Sequence, residues 1–124
     1  DLAEVRGRLL ISLAWAESER GRVEAGFRIL DEAESTVVDA QRPVVFAQRA
    51  LLLQRTGRFE DSLREFDRAV AALTEDTPLD LVKALNNRSL VYQETGQVGP
   101  ARADLRRGAQ VAARHGVVFS IAAT

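Results

Sequence analysis

Apolar residues recur at intervals of three and four along most of the chain, which is the period of an amphipathic α-helix. The pattern is clearest at Leu9, Leu10, Leu13 and Ala14 and again between Phe59 and Leu73. Val, Ile and Thr never alternate with polar residues over the length of a strand. We therefore predict an all-α chain. Its helices are expected at about residues 2–19, 23–39, 44–56, 59–74, 79–95 and 98–115, with a helical stub from residue 117.

Glycine and proline mark the boundaries of these helices. Three glycines each follow a helical pattern and suit the left-handed position after a helix. These are Gly21, Gly57 and Gly96. The prolines at 43, 78 and 100 fit first helical turns, where a missing N–H costs nothing. Thr77 is predicted to cap the fifth helix, and His115–Gly116 to end the sixth.

The chain repeats itself in three blocks. The shift from Gly21 to Gly57 is 36 residues, and that from Gly57 to Gly96 is 39. Under these shifts, small residues align at three positions: seven residues before, five residues after and twelve residues after each glycine. Large apolar residues align at two positions, eleven residues before and nine residues after each glycine. The small sets are Ala14, Ala50, Ser89; Gly26, Ser62, Ala101; and Ala33, Ala69, Gly108. The large sets are Leu10, Phe46, Leu85 and Leu30, Phe66, Leu105.

These aligned positions have a simple physical explanation. Two antiparallel helices joined by a tight turn approach closely where small residues lie, and flanking large residues fill the space around them. One helix pair cannot bury its apolar face alone, so stacked neighbours supply a continuous core. The sequence therefore predicts three stacked helix pairs.

The aligned positions resemble the tetratricopeptide repeat over about residues 7–115, with the best match from Pro43 to Ala69. Ala84–Asn87 followed by Leu90–Gly96 is similar to the longer repeats of kinesin light chains, and the Arg/Ala-rich style is similar to repeats preceding the caspase-like domain of bacterial CHAT proteins. The resemblance implies a right-handed α-solenoid with a concave peptide groove. We expect repeats at about 2–40, 43–76 and 78–116, a partial fourth at 117–124, and a longer natural protein around them.

The resemblance also implies which residues line the groove, all on the first helix of each pair. The first repeat contributes Arg8, Ile11, Trp15, Ser18 and Glu19. The second contributes Val44, Ala47, Leu51, Gln54 and Arg55. The third contributes Lys83, Asn86, Asn87, Leu90, Gln93 and Glu94.

Asn86 and Asn87 are the sharpest functional candidates, because an amide both donates to and accepts from a peptide backbone. The alternative is that Asn87 ties neighbouring helices together. Trp15 is either a groove anchor or a packing residue, and Tyr92 is expected in the core. The carboxylate clamp of chaperone-binding relatives is not reproduced, since it would need Lys and Asn where Ile11 and Trp15 stand.

Charge and composition exclude several other functions. The chain has 17 basic and 18 acidic residues, unlike a general nucleic-acid binder. The arginines at 102, 106, 107 and 114, with Asp104 among them, are interpreted as a solvated helix face. There is no cysteine, His115 is the single histidine, and no phosphate-binding motif is present. We predict no enzyme activity, no metal and no cofactor.

The chain has neither a signal-peptide pattern nor an apolar run long enough to cross a membrane, so we predict a cytoplasmic protein. Sixteen of its seventeen basic residues are arginine, which suggests a GC-rich bacterial genome. The predicted function is non-catalytic recognition of a peptide or protein in the groove. Alternatives are a regulatory arm of a larger protein with a caspase-like protease domain, and self-association through the apolar end Val117–Ala123.

Overall fold

A computed structural model describes residues 1–117, and these residues contain helices but no strand. Neighbouring helices pack against one another, so the all-α prediction is confirmed. The six helices are α1 (Leu2–Glu19), α2 (Val23–Thr36), α3 (Arg42–Arg55), α4 (Phe59–Ala72), α5 (Pro78–Glu94) and α6 (Val98–His115). The predicted stub at 118–124, with Phe119, lies outside the described residues.

The segment between α2 and α3 differs from the prediction. Helix α2 ends at Thr36, three residues earlier than expected, and Val37 has an extended backbone with ψ of 158°. A short 3₁₀ turn, Asp39–Gln41, then leads into α3. The side chain of Arg42 holds this arrangement, because its guanidinium donates to the carbonyls of Glu34 at 2.9 Å and Val37 at 3.1 Å. Carbonyls left free at the helix end thereby gain partners.

The turns within the three helix pairs share one geometry. Gly21, Gly57 and Gly96 have φ of 80°, 77° and 76°, so the predicted left-handed positions are confirmed. At each turn the glycine N–H reaches back three residues and the next N–H reaches back five; Gly57 N donates to Gln54 O at 3.0 Å and Arg58 N to Leu53 O at 2.9 Å. This pair of bonds is the Schellman motif.

Prolines begin helices as predicted, with Pro43 and Pro78 in the first two positions of α3 and α5. Thr77 is the N-cap residue of α5, as predicted, but its side chain makes no capping hydrogen bond. The preceding turn is held instead by Thr74, whose Oγ1 accepts from the Asp76 N–H at 3.2 Å. Gly116, with φ of 63°, ends α6 as expected.

The chain divides into two compact units, of which the first is Asp1–Ala69 and the second begins at Val70. The first unit has a core cluster shared by α1, α2 and α3. In the second unit, α5 and α6 pack together and bury apolar residues of both helices. The cluster of the first unit consists of Ala14, Leu30, Ala33, Val37, Val45 and Leu52. The buried residues of the second include Leu81, Leu85, Val91, Ala101 and Val111.

Helix α1 departs from the simple amphipathic pattern. Leu10 packs against the core cluster and Ala14 belongs to it. Leu9 and Leu13, which the spacing placed with them, are exposed. Helix α1 is therefore apolar on two faces, whereas an amphipathic surface helix has one such face.

Candidate functional site

Three predicted groove residues meet in the first unit, where α1 and α3 lie against each other. The guanidinium carbon of Arg55 lies 4.8 Å from the centroid of the Trp15 ring. Arg55 also forms an ion pair with Glu19. A cation over an indole ring gains roughly 0.5–1 kcal/mol at an exposed site. We name this cluster of Trp15, Glu19 and Arg55 the Trp15 cluster.

Trp15 was considered either as a groove anchor or as a packing residue, and its position has features of both. Its ring is partly buried and packs against the core cluster, and so does the side chain of Ile11. Its accessible part carries Arg55. Trp15 is therefore held rigidly while remaining accessible at the surface.

The other predicted residues of the first unit surround this cluster to different degrees. Arg8 is exposed and makes no ion pair with any described residue. Ser18 is buried and thus withdrawn from the surface. The residues contributed by α3 are half-buried, apart from exposed Arg55; they are Val44, Ala47, Leu51 and Gln54.

The predicted residues of the second unit are placed less uniformly. Lys83, Gln93 and Glu94 are exposed, while Asn87 and Leu90 are half-buried. Asn86 is only 5% exposed and lines a cavity of about 160 Å³. The rest of the cavity wall comes from both helices of the pair and from the second residue after α6: Val82, Asp104, Leu105, Gly108, Ala109, Ala112 and Val117. Asn86 Nδ2 has no hydrogen-bond partner within residues 1–117.

Two equivalent ion pairs were not anticipated from the sequence. Arg88 binds Asp104 through two hydrogen bonds, Nε to Oδ2 at 2.8 Å and a terminal nitrogen to Oδ1 at 2.7 Å. Arg49 donates to Glu65 at 2.6 Å. Each arginine lies eight residues before its turn glycine and each carboxylate eight after, and this shared spacing is the signal that was missed.

The interpretation of Asp104 as a solvated residue is wrong. Asp104 is 5% exposed, because it faces Arg88 across the helix pair. The neighbouring Arg102, Arg106 and Arg107 are exposed, as expected of a solvated face. Tyr92, expected in the core, is half-buried and lies 5.7 Å from the guanidinium of Arg88.

Arg49 also joins helices beyond its own pair. It contacts Asp31 at 3.0 Å and Glu34 at 2.8 Å on α2, in addition to Glu65 on α4. Burial opposes its charge, but hydrogen bonds and Coulomb attraction from Glu65 and Glu34 outweigh that effect and raise the pKa of Arg49. Arg49 therefore stays ionised and connects α2, α3 and α4.

The ion network around Arg49 lines a larger depression of about 510 Å³ on the first unit. Four arginines and four carboxylates share its wall, with Phe27 and Leu53. All four arginines have carboxylate partners. They are Arg49, Arg58, Arg64 and Arg68. Because each of these arginines is paired, the depression offers no free cation to an anionic ligand.

A smaller ion cluster ties the segment after α4 to the end of α6. Glu75 accepts two hydrogen bonds from Arg114, at 3.0 and 2.8 Å, and one from His115 Nε2 at 2.9 Å. The bonds from Arg114, with a smaller effect of His115, lower the pKa of Glu75 to about 2. The same carboxylate raises the pKa of Arg114.

No protein-family model matches the chain, and a search of curated proteins also found no match. In the part of the chain that the structure describes, no helix is both long and apolar enough to cross a membrane. Over residues 1–117, no three His, Asp or Glu side chains are grouped so that they would hold a metal ion.

Proposed function

We propose that the chain is a non-catalytic protein-interaction module built from three tetratricopeptide-like repeats in a right-handed α-solenoid. In this proposal, the first helices of the repeats bind an extended peptide. Support comes from the shared geometry of the three turns and from the equivalent Arg49–Glu65 and Arg88–Asp104 pairs. Stacked repeats of this kind bind along a continuous surface formed by equivalent helices.

The Trp15 cluster is the observation that carries the proposal. A rigid aromatic beside an arginine is the usual composition of a binding hot spot. Trp15 packs against the core cluster, which already restricts its side chain. Binding of a ligand therefore costs little side-chain conformational entropy at Trp15. Half-buried Leu51 and Gln54 on α3 add an apolar contact and an amide on the same predicted surface.

Arg8 suggests the chemistry of the bound peptide. It is exposed on α1 and has no carboxylate partner among the described residues, so it is available for an acidic side chain. Arg8 and Trp15 are two helical turns apart, which is roughly 10 Å. An extended peptide covers that distance in about three residues. We therefore expect a ligand with an acidic residue about three positions from an apolar one.

Peptides selected from a displayed random library test the proposal. Selected sequences would be synthesised and titrated against the protein while the fluorescence of Trp15, the single tryptophan, is recorded. Arg55→Ala is expected to weaken binding by roughly tenfold or more, the scale of a hot-spot residue. Arg8→Glu should select against the acidic residue of the peptide.

Arg58→Ala is the matched control. Arg58 and Arg55 have side-chain exposures of 54% and 44%, and each lies above an aromatic ring and pairs with a carboxylate. Only Arg55 belongs to the predicted groove. The proposal fails if no peptide is enriched, or if Arg58→Ala weakens binding as much as Arg55→Ala does.

A further inference from the structure

Helix α1 presents an uncovered apolar surface in the first unit. Leu2, Val5, Leu9 and Leu13 recur at the helical interval and are all exposed, Leu9 by 64% and Leu13 by 47%. Residues at this spacing share one side of a helix. We name these four residues the α1 stripe. An uncovered stripe of large apolar residues is typical of an interaction surface.

A second apolar surface, which no residue of the described range 1–117 covers, lies on the α5–α6 pair around the cavity that Asn86 lines. Leu105 is 37% exposed there, although Leu30, the equivalent residue of the first pair, is fully buried. Asn86 Nδ2 is buried on this surface without a partner within residues 1–117. We name the wall formed by Val82, Leu105, Ala109 and Ala112 the α6 face.

The first unit already contains a contact between surfaces of these two kinds. Helix α3 covers the α1–α2 pair, with Val45 and Leu52 joining Leu30 in the core cluster. Counted from the turn glycines, Val45 is equivalent to Leu9 of the α1 stripe. Leu30 is equivalent to Leu105 of the α6 face. Helix α1 therefore has the register to cover an α5–α6 pair as α3 covers α1–α2.

We propose that a second copy of this chain docks its α1 stripe onto the α6 face, so that copies associate head to tail. The contact joins two different surfaces, which makes it heterologous. Each copy then leaves one surface of each kind available for a further copy. This inference depends on the register of the repeats but not on peptide binding by the Trp15 cluster.

One ion pair in the α2–α3 contact has an apolar counterpart in the proposed contact. Arg49 meets Glu34 at 2.8 Å. The residue equivalent to Arg49 in α1 is Leu13, and the residue equivalent to Glu34 in α6 is Ala109. Both members of the pair have changed from charged to apolar, as two surfaces that contact each other require.

A second pair changes in the same way. Gln41, just before α3, lies so close to Gly7 that a Cβ on that glycine would overlap its side chain. The equivalents of Gln41 and Gly7 are Val5 in the α1 stripe and Val82 in the α6 face. In the proposed contact, Val82 stands where the first pair has Gly7, and the shorter, apolar Val5 stands where it is met by Gln41. The larger residue on one surface is thus matched by a smaller one on the other.

The buried Nδ2 of Asn86 also needs a hydrogen-bond acceptor, which the α1 helix of the second copy would have to supply. Ser12 is exposed on α1 beside Leu9 and Leu13. Its hydroxyl accepts a hydrogen bond as well as donating one. In the proposed contact it supplies an acceptor for Asn86 Nδ2, which satisfies a buried donor that is otherwise costly.

Light scattering and sedimentation over a range of protein concentrations test the inference. The average mass of the full chain is expected to rise with concentration. Leu9→Glu and Leu105→Glu should each weaken association by at least roughly tenfold, since each places a charge in an apolar contact. Leu13→Arg should weaken association to a similar extent. Arginine is the residue that the other two repeats carry at this position, as Arg49 and Arg88, so this substitution is compatible with the repeat. Val98→Glu is the matched control, because Val98 is 56% exposed and belongs to neither surface.

Mixing the two glutamate variants identifies the geometry. Each variant alone loses one surface and keeps the other, so an equimolar mixture should form a one-to-one dimer that grows no further. If Leu9→Glu alone still dimerises, α6 faces pair with each other; if Leu105→Glu alone does, α1 stripes pair. Either result overturns the proposal, as does a monomer at every concentration.

Discussion

The hydroxyl of Ser62 on α4 donates a buried hydrogen bond to the backbone carbonyl of Ala50 on α3 at 2.8 Å. The equivalent residues of the first pair are Gly26 and Ala14. A Cβ on Gly26 would lie 2.9 Å from the Ala14 oxygen and 3.0 Å from Leu52 Cδ2. The same approach of two helices is thus solved by a hydroxyl in one repeat and by the absence of a side chain in another.

Gly26→Ala is therefore expected to destabilise the protein by roughly 1–3 kcal/mol, because the added methyl group meets a backbone oxygen that cannot move aside. Urea unfolding followed by circular dichroism measures the change. Gly99→Ala is the control, since a Cβ on Gly99 meets nothing within 4 Å and glycine is a poor helix former. Equal effects of the two substitutions would refute this account of Gly26.

Gly57 tests the turn geometry rather than the packing. A Cβ at this position meets nothing within 4 Å, but φ is 77°. Gly57→Ala should cost about 1 kcal/mol through backbone strain alone. Gly57→Asn should cost less, because asparagine tolerates the left-handed region better than alanine does. Urea midpoints of the two variants provide the comparison, and a stabilised Gly57→Ala protein would contradict it.

The sequence was sufficient for the helices because their signals are local. Apolar periodicity, turn glycines and first-turn prolines act within a few residues, and they placed α1, α4 and α6 within about two residues of the observed bounds. The end of α2 could not be found this way. It depends on Arg42, which lies six residues beyond Thr36 and reaches back to the carbonyls of Glu34 and Val37.

The candidate site was predicted less completely, for a related reason. Repeat register identified Trp15, Glu19 and Arg55, and α1 and α3 bring them together. Register alone did not show that Asn86 is buried in the α5–α6 cavity, because burial depends on the tilt between two helices. Asp104 was misjudged because its local sequence is rich in arginine, whereas its partner Arg88 lies on the other helix.

The Arg88–Asp104 pair should be costly to break from one side. The two side chains are 16% and 6% exposed, so Asp104→Ala removes a doubly hydrogen-bonded carboxylate from a largely desolvated guanidinium. A loss of roughly 1–3 kcal/mol in the free energy of unfolding is expected. The double variant Arg88→Met/Asp104→Leu should recover much of it, because apolar residues of similar size replace buried ion pairs well.

The exposed pair of Arg58 and Asp61 supplies the comparison for the buried pair. Its side chains are 54% and 40% exposed, so Asp61→Ala should cost under about 1 kcal/mol. Chemical denaturation of the wild type and these three variants gives the changes in the free energy of unfolding. A loss of less than about 1 kcal/mol for Asp104→Ala would show that the charge of Arg88 is compensated without Asp104.

Glu75 gives the chain a defined sensitivity to acid. Hydrogen bonds from Arg114 and His115 lower the pKa of its carboxyl from 4.5 to about 2. A folded-state pKa below the unfolded value stabilises the fold at pH values above the unfolded pKa. This contribution is complete above about pH 4.5 and is lost as the pH falls toward 2. Glu75→Gln should therefore lower stability most near neutral pH, and the two proteins should converge near pH 2.

Urea unfolding of wild type and Glu75→Gln at a series of pH values measures this difference directly. Asp76→Asn is the matched control, because Asp76 is the adjacent exposed carboxylate and makes no ion pair with a described residue. A difference between wild type and Glu75→Gln that persists unchanged to pH 2 would mean that the ionised carboxylate is not what stabilises the segment. Loss of the difference in Arg114→Gln would show that Arg114 is the partner through which Glu75 acts.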